Sequence, residues 1–522
     1  MPVAERWRSD PFLFALVAIG LLLRLFAAAR PLLQIDDLAI PDDAYLSLTL
    51  ARSIAHGWGP LYGLAPTNGF QPLYVFLMAP AFVLIPHDAF APVRIAQLLL
   101  VACDLLALVV LYRMIARLSR SRAVPRLIAL AWAINPYVIL TSLNALETSL
   151  SFLLMILVVA RLHRLESASG AARTREALGF GALVGLAALA RFDNLLLAAA
   201  LGGVLLARRV RARVALVPSL RTFALVGLGA GLAVLPWLAY SWYWTRDLVP
   251  VSGRAVRYMC LSSVHHAPTL SNLYLPMLRK AIEVTIRRNP VYLTLIAGLY
   301  AVLAMLGRGA LREAHAPRLE RDAALLFGVL LFIAYTGVIF GPWHFARYLF
   351  PLILVFSLHA GRLLDVALDH VRAGVPRRAL IAGLTWMIVL GSVMQPSFRR
   401  LSSRQVPGAW GYMRIGLWAR EHIPKGTVCG GAQSGALGYF ADSLTVVNLD
   451  GVVNRAYYDA MRAGRAIDYI RAAHVRLLVW QDDIEFIARE SRGARPDDVM
   501  LLGTVPGIRT LGEPWTEYRV RP

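Results

Sequence analysis

PFLFALVAIGLLLRLFAAARPLLQIDDLAIPDDAY, residues 11–45, joins an apolar run to two pairs of adjacent aspartates, Asp36-Asp37 and Asp42-Asp43. The run over residues 11–30 matches one helical membrane crossing, which takes about 20 apolar residues. Carboxylates clustered just past the end of such a helix repel one another. Each must therefore be satisfied by water, a cation or a reacting group. The stretch reads as a membrane helix that presents acid chemistry at one face of a bilayer. Arg24 inside the run weighs against a cleaved signal peptide, despite Ala27-Ala28-Ala29 at its end, and the segment reads as a retained first helix.

The rest of the chain extends that reading. Of 522 residues, 58% are hydrophobic and 16% charged, a composition that predicts a polytopic membrane protein. The formal net charge of +22 is not a nucleic-acid footprint, because the arginines fall in short tracts between apolar segments, as the positive-inside rule places them. Segments beginning near Pro11, Arg94, Leu127, Thr148, Ala177, Asn194, Thr222, Pro290, Asp322, Ala346 and Ala379 predict about eleven crossings. Starting inside with Arg6 and Arg8, basic tracts recur at residues 113–126, 161–175, 208–221, 308–321 and 372–378. They share one face only if residues 73–86, broken by Pro80, form a re-entrant or interfacial helix.

The expected fold class is an α-helical polytopic membrane protein with a small C-terminal α/β domain. Residues 1–395 form the membrane domain, with a long first outer loop at 31–92, and residues 396–522 form the tail. An odd number of crossings puts that tail on the face opposite the arginines. From residue 424 it reads as short β-type runs at 427–429, 444–449 and 475–480, with a helical stretch at 457–473. Cys103, Cys260 and Cys429 are too scattered for a disulfide framework or a cysteine metal site. Gly430-Gly431 lacks the spacing of a dinucleotide-binding loop.

Loops as long as 31–92 are usually functional. Within it, residues 43–56 predict a surface helix with Leu46, Leu50 and Ile54 on one stripe. Asp42 at its mouth is either the N-cap of that helix or a reactive carboxylate. Asp36 and Asp37 read as a solvated or metal-attracting face, and residues 68–72 as a turn. Glu147 caps the helix beginning at Thr148, holds a metal, or orients a substrate hydroxyl. Arg191 grips a phosphate, since guanidinium matches phosphate oxygens bidentately, or pairs locally with Asp193. Arg254, Arg257 and Tyr258, and also His344, Arg347 and Tyr348, place cations where the charge bias disfavours them. An anionic partner, lipid headgroups included, is implied there. Arg24 and Asp104 read as a structural ion pair within the membrane. Trp58, Trp242, Trp244 and Trp343 suit sugar stacking and interfacial anchoring equally.

At these residues the chain resembles the GT-C superfamily of membrane glycosyltransferases, which take sugars from polyprenyl-phosphate donors. Protein O-mannosyltransferases, lipid A aminoarabinose transferases and bacterial glycosyltransferase-39-like enzymes belong to it. The resemblance is carried by Pro41-Asp42-Asp43-Ala44-Tyr45, Ala51-Arg52, His56-Gly57 and Gln71-Pro72-Leu73-Tyr74. It implies Asp42 as the catalytic base with Asp43 beside it, and Glu147 as a second acidic residue at an acceptor or metal site. It further implies Arg191, with Arg347 and Tyr348 of the Arg347-Tyr348-Leu349-Phe350-Pro351 motif, as donor-phosphate ligands. GYFADSLTVVNLDGVVN at 438–454 resembles the C-terminal outer domain of bacterial relatives. Arg191-Phe192-Asp193-Asn194 departs from the commoner basic-Pro-Glu form of the family.

The implied reaction is an inverting transfer from a polyprenyl-phosphate sugar to a glycan, lipid or protein acceptor. It would take place on the outer face of a bacterial inner membrane, with the N-terminus cytoplasmic. A divalent metal held by Asp42 and Glu147 is left open. The rival readings are a transporter or flippase of lipid-linked saccharides, a polysaccharide polymerase or ligase, and an inactive membrane anchor. The paired, broken helices in two related halves that mark many transporters are not seen in the sequence.

Overall fold

Every predicted apolar segment is helical in the computed structural model, which describes residues 10–167, 170–213, 217–371, 374–403, 411–494, 498–510 and 513–520. Arg6, Arg8 and Arg372 lie outside the described residues. Among those described, six helices are long and apolar enough to cross a membrane singly, and up to nine crossings result if each bent helix pair is one span. The sequence predicted about eleven. The other two predicted segments are the helices Gly170–Ala190 and Asn194–Arg211, whose ends carry Arg173, Arg175 and Glu176, and Arg208, Arg209 and Arg211.

Two of the bent pairs break at Asn-Pro steps. Ala123–Ala133 and Pro136–Ser142 meet at 59°, and Leu270–Arg288 and Pro290–Leu306 at 85°. Proline disfavours α geometry in the residue before it, and Asn135 and Asn289 both leave the helical region. Pro72–Leu84, with Pro80 inside it, is a short apolar helix of 13 residues, too short to span by itself.

Three of the basic tracts, at 113–126, 308–321 and 372–378, are tied by polar contacts. Arg126 pairs with Asp10, Arg120 with Glu313 and Asp369, and Arg377 donates to Ser121. Deep in the bundle, Arg24 and Asp104 form the expected ion pair at 2.5 Å, both buried, and Arg24 also donates to the carbonyls of Gly20 and Ala133.

The tail builds a five-stranded sheet in the order Thr445–Asn448, Val428–Gly431, Arg476–Val479, Glu513–Val520, Val499–Thr510. The first three strands are parallel, with Cys429 opposite both Val446 and Arg476, and the last two pair antiparallel. Three strands fall where the sequence placed them; the final hairpin was not anticipated. The predicted helix at 457–473 is two helices, Arg455–Arg462 and Ala466–Ala472, parted at Gly464, whose φ of +69° suits only glycine without strain.

The first outer loop and the tail share one apolar core. Tyr45 of the surface helix Asp42–Ala55 packs its ring against Tyr439 and Phe440, and Phe82 packs against Tyr439. This core holds the tail against the surface helix and Pro72–Leu84.

Candidate functional site

Pro41, extended at φ −77° and ψ 160°, starts the surface helix, so Asp42 is its first helical residue. The expectation of Asp42 as the N-cap of its own helix is corrected: that cap is Pro41, with no side-chain bond. The carboxylate turns instead to the tail, where Oδ2 accepts from the Gly435 N–H at 2.6 Å and Oδ1 from the Ala436 N–H at 2.9 Å. Only 4% of Asp42 is exposed. Burial pushes its carboxyl up to about 7; the two N–H donors pull down and the Asp43 charge pushes up.

Asp43 is oriented differently. Its Oδ2 accepts from Arg347 Nη2 at 2.7 Å and lies 3.8 Å from His344 Nε2, with 28% of the side chain exposed. Burial raises its pKa, but Arg347 and His344 outweigh that and hold it below the ordinary aspartate value.

Glu147 and Arg191 meet beside this pair. Ala145, at φ +52°, makes the sharp turn before the helix starting at Thr148. The Glu147 side chain does not cap that helix; its Oε1 accepts from Arg191 Nη1 at 2.8 Å. Arg191 also donates to Asp193 from Nε and Nη2 and to the Tyr335 hydroxyl at 3.1 Å. The local Arg191–Asp193 pair thus exists, inside a larger network. The ring of Tyr348 lies under both guanidinium groups, 5.3 Å from Arg191 and 5.4 Å from Arg347.

These side chains line one cavity of about 560 Å³ between the bundle and the tail. Asp42, Asp43, Glu147, Arg191, Arg347 and Tyr348 all face it, with Trp343 at its wall. Sequence reasoning missed Arg288, Tyr412, Asp450, Trp480 and Asp483, which also line it. Asp450 was visible only as part of the 438–454 motif. Burial, together with the Asp43 and Asp42 charges, pushes its carboxyl up to about 8 against a bond from the Val452 N–H, and burial takes Asp483 to about 6.

Other expected site groups serve as ties. Asp36 is not a solvated face: it is buried and accepts from the Tyr45 hydroxyl at 2.7 Å and the Met413 N–H at 2.9 Å. Asp37 accepts from Arg414 Nη2 at 2.8 Å. Arg254 pairs with Asp247, Arg257 donates to the Val338 carbonyl, and Tyr258 donates to Glu490. Trp58 stacks on His56, and Trp244 packs against Tyr240 and Tyr243. Among the described residues, no three His, Cys, Asp or Glu side chains gather as metal ligands would. Of the nominated pair, Asp42 accepts from two tail amides and Glu147 from Arg191.

ArnT from Cupriavidus metallidurans, solved bound to undecaprenyl phosphate, is similar over 97% of both chains with a TM-score of 0.60 at 14% identity. This chain has the GT-C fold. The Archaeoglobus fulgidus oligosaccharyltransferase in its apo form is similar with a TM-score of 0.61 at 13% identity, over 94% of this chain and 72% of that one. The oligosaccharyltransferase AglB from Archaeoglobus fulgidus, in complex with an inhibitory peptide and a dolichol-phosphate, gives 0.51 at 13% identity, over 91% of this chain and 71% of that one. Within the GT-C fold of this chain, residues 400–519 match a domain of unknown function, DUF8728. No curated protein matches the chain by sequence.

Proposed function

We propose that this protein is an integral membrane glycosyltransferase that moves a sugar from a polyprenyl-phosphate donor to an acceptor hydroxyl, with inversion. The observation that carries the reading is the single cavity that sets the Asp42-Asp43 carboxylates beside Arg347 and Arg191. Support comes from two structural neighbours, one solved bound to undecaprenyl phosphate and the other in complex with a dolichol-phosphate.

In this reading Asp42 is the base. A general base works best when its pKa lies near the operating pH, and burial brings Asp42 there. Each carboxylate oxygen has two lone pairs, so one amide bond apiece leaves capacity for a substrate proton. The acceptor oxygen attacks the anomeric carbon as its proton passes to Asp42. The bond from that carbon to the phosphate oxygen breaks, and its electron pair leaves with the lipid phosphate. Arg347 meets the new charge: only its Nη2 is bonded to Asp43, while its Nε is without a partner among the described residues. Arg191 stands behind it. No general acid is needed, because the phosphate leaves as an anion.

Asp43 is the second reading, favoured by its greater exposure. Donor, acceptor and product would be handled on the outer face of a bacterial inner membrane, with the N-terminus cytoplasmic and the tail outside. The deciding experiment incubates purified protein with a panel of polyprenyl-phosphate sugars and acceptors and measures free polyprenyl phosphate. Release that depends on Asp42 or Asp43 supports the reading. Movement of intact lipid-linked sugar across vesicles without release would make the protein a transporter and overturn it.

A further inference from the structure

Gly435 and Ala436 open the short tail helix Gly435–Phe440, and their N–H groups take one Asp42 oxygen each. Three independent features show that this contact is built in. A Cβ at Gly435 would lie 2.1 Å from the Asp42 carbonyl oxygen and 2.9 Å from its Oδ2, so the approach needs glycine. Arg52, further along the same surface helix, donates to the Tyr439 and Gly438 carbonyls at 2.9 and 3.0 Å. A Cβ at Gly69 in the first loop would lie 1.9 Å from the Val452 carbonyl oxygen, a second close approach of loop and tail. The acid thus meets bare amides at one end of the tail helix and the guanidinium meets bare carbonyls at the other, each sign matched to its partner.

We propose that the DUF8728 tail positions the base of the reaction, the Gly435 and Ala436 amides fixing both oxygens of Asp42 so that its remaining lone pairs face the cavity. The inference rests on Asp42 being that base. Gly435 is a positioning residue, acting through Asp42. The other titratable groups facing Asp42 are Asp43 and Tyr45 on its own helix, Tyr62 in the first loop, and Tyr412 and Asp450 in the tail. None of them replaces the two amides as a donor to its oxygens among the described residues. Losing those donors removes bonds that favour the charged carboxylate, so its affinity for a proton rises.

The test is Gly435→Ala in the full chain. A misplacement of about 1 Å can cost about 10²-fold in rate, so kcat should fall by about that factor while the donor KM stays within about twofold. The acid limb of kcat/KM should also move to higher pH. Ala436→Pro deletes the Oδ1 donor at a first-turn position that tolerates proline and should act in the same direction. Arg52→Ala loosens the same helix from its far end and should leave the acid limb in place. Folded Gly435→Ala and Ala436→Pro proteins with wild-type kcat and an unmoved limb would overturn the inference. Should wild type release no polyprenyl phosphate, the proposed reaction fails on its own. The Asp42 carboxyl band, identified by its loss in Asp42→Asn, is then followed by pH-difference infrared spectroscopy. An upward shift of its titration in either variant supports positioning, and an unmoved titration refutes it.

Discussion

Replacing Arg191 by methionine is expected to destabilise the protein strongly, for a reason that can be separated from catalysis. The Arg191 side chain is 5% exposed, and its partners Glu147 and Asp193 are 3% and 6% exposed. Four of its N–H contacts go to these two carboxylates, at 2.8 to 3.2 Å. Removing the guanidinium strands both acids away from water, and breaking a buried pair in this way costs about 3–5 kcal/mol. Neutralising the acids as well should recover most of that loss, since Gln and Asn keep the shape without the stranded charge. Thermal unfolding in detergent tests this by comparing the midpoints of wild type, Arg191→Met, and the triple variant Arg191→Met, Glu147→Gln, Asp193→Asn. The single variant should melt far below wild type and the triple variant close to it. Equal midpoints for wild type and Arg191→Met would show that the network is not desolvated. A triple variant as unstable as the single one would show that packing, not charge, causes the loss. The stable triple variant then reads out what the Arg191–Glu147–Asp193 network as a whole contributes to catalysis, with a raised donor KM expected if Arg191 shares in holding the phosphate.

Asp42→Asn should lower turnover by about 10² to 10⁴-fold, the usual worth of a general base, while equilibrium binding of donor persists; near wild-type turnover would reduce Asp42 to a structural tie. Because the base acts only when deprotonated, kcat/KM should fall with decreasing pH below about 7, where burial places Asp42. A profile flat down to the ordinary aspartate range would assign the role to Asp43, whose pKa is lowered. Arg347→Gln removes a charged donor worth about 1.5–3 kcal/mol, so the donor KM should rise by about 10-fold or more; an unchanged KM would place the phosphate elsewhere. Burial also pushes Asp36 up to about 7, above its unfolded value of about 3.9. Its contribution is therefore most favourable at low pH and is lost as pH rises through about 7. Asp36→Asn should abolish that part of the pH dependence of unfolding, and an unaltered dependence would refute the assignment.

The membrane helices were legible because their signal is local: an apolar run of the right length, closed by arginines. The bends at Asn135-Pro136 and Asn289-Pro290 were equally local, yet the sequence does not say whether a proline parts two spans or kinks one. That ambiguity, with the charged ends of Gly170–Ala190 and Asn194–Arg211, separates the predicted count of crossings from the nine that length and composition support. The last two strands escaped notice because Gly503, Pro506 and Gly507 interrupt alternation in Val499–Thr510, and its pairing with Glu513–Val520 slips register twice. The candidate residues all face one cavity, but several of their partners were not visible in the sequence. Asp36 was read as a solvated or metal-attracting face, and a cap on its own helix stayed open for Asp42, because a sequence shows charges and hides backbone amides hundreds of positions away.

That error points to how the site is assembled. Asp36 and Asp42 spend their carboxylates on the amides of Met413, Gly435 and Ala436, all in the tail. Arg52 returns the favour to tail carbonyls. An amide cannot be moved by substituting a side chain, so once it is recruited to hold an acid, the whole sheet that fixes the amide becomes part of the site. The first loop and the tail stand at opposite ends of the membrane domain in sequence, yet they share one core around Tyr45, Tyr439 and Phe440. A boundary drawn near residue 396 follows composition, whereas the cavity is built from both sides of it. Changes in the tail sheet that leave every cavity side chain intact should therefore still be felt at Asp42.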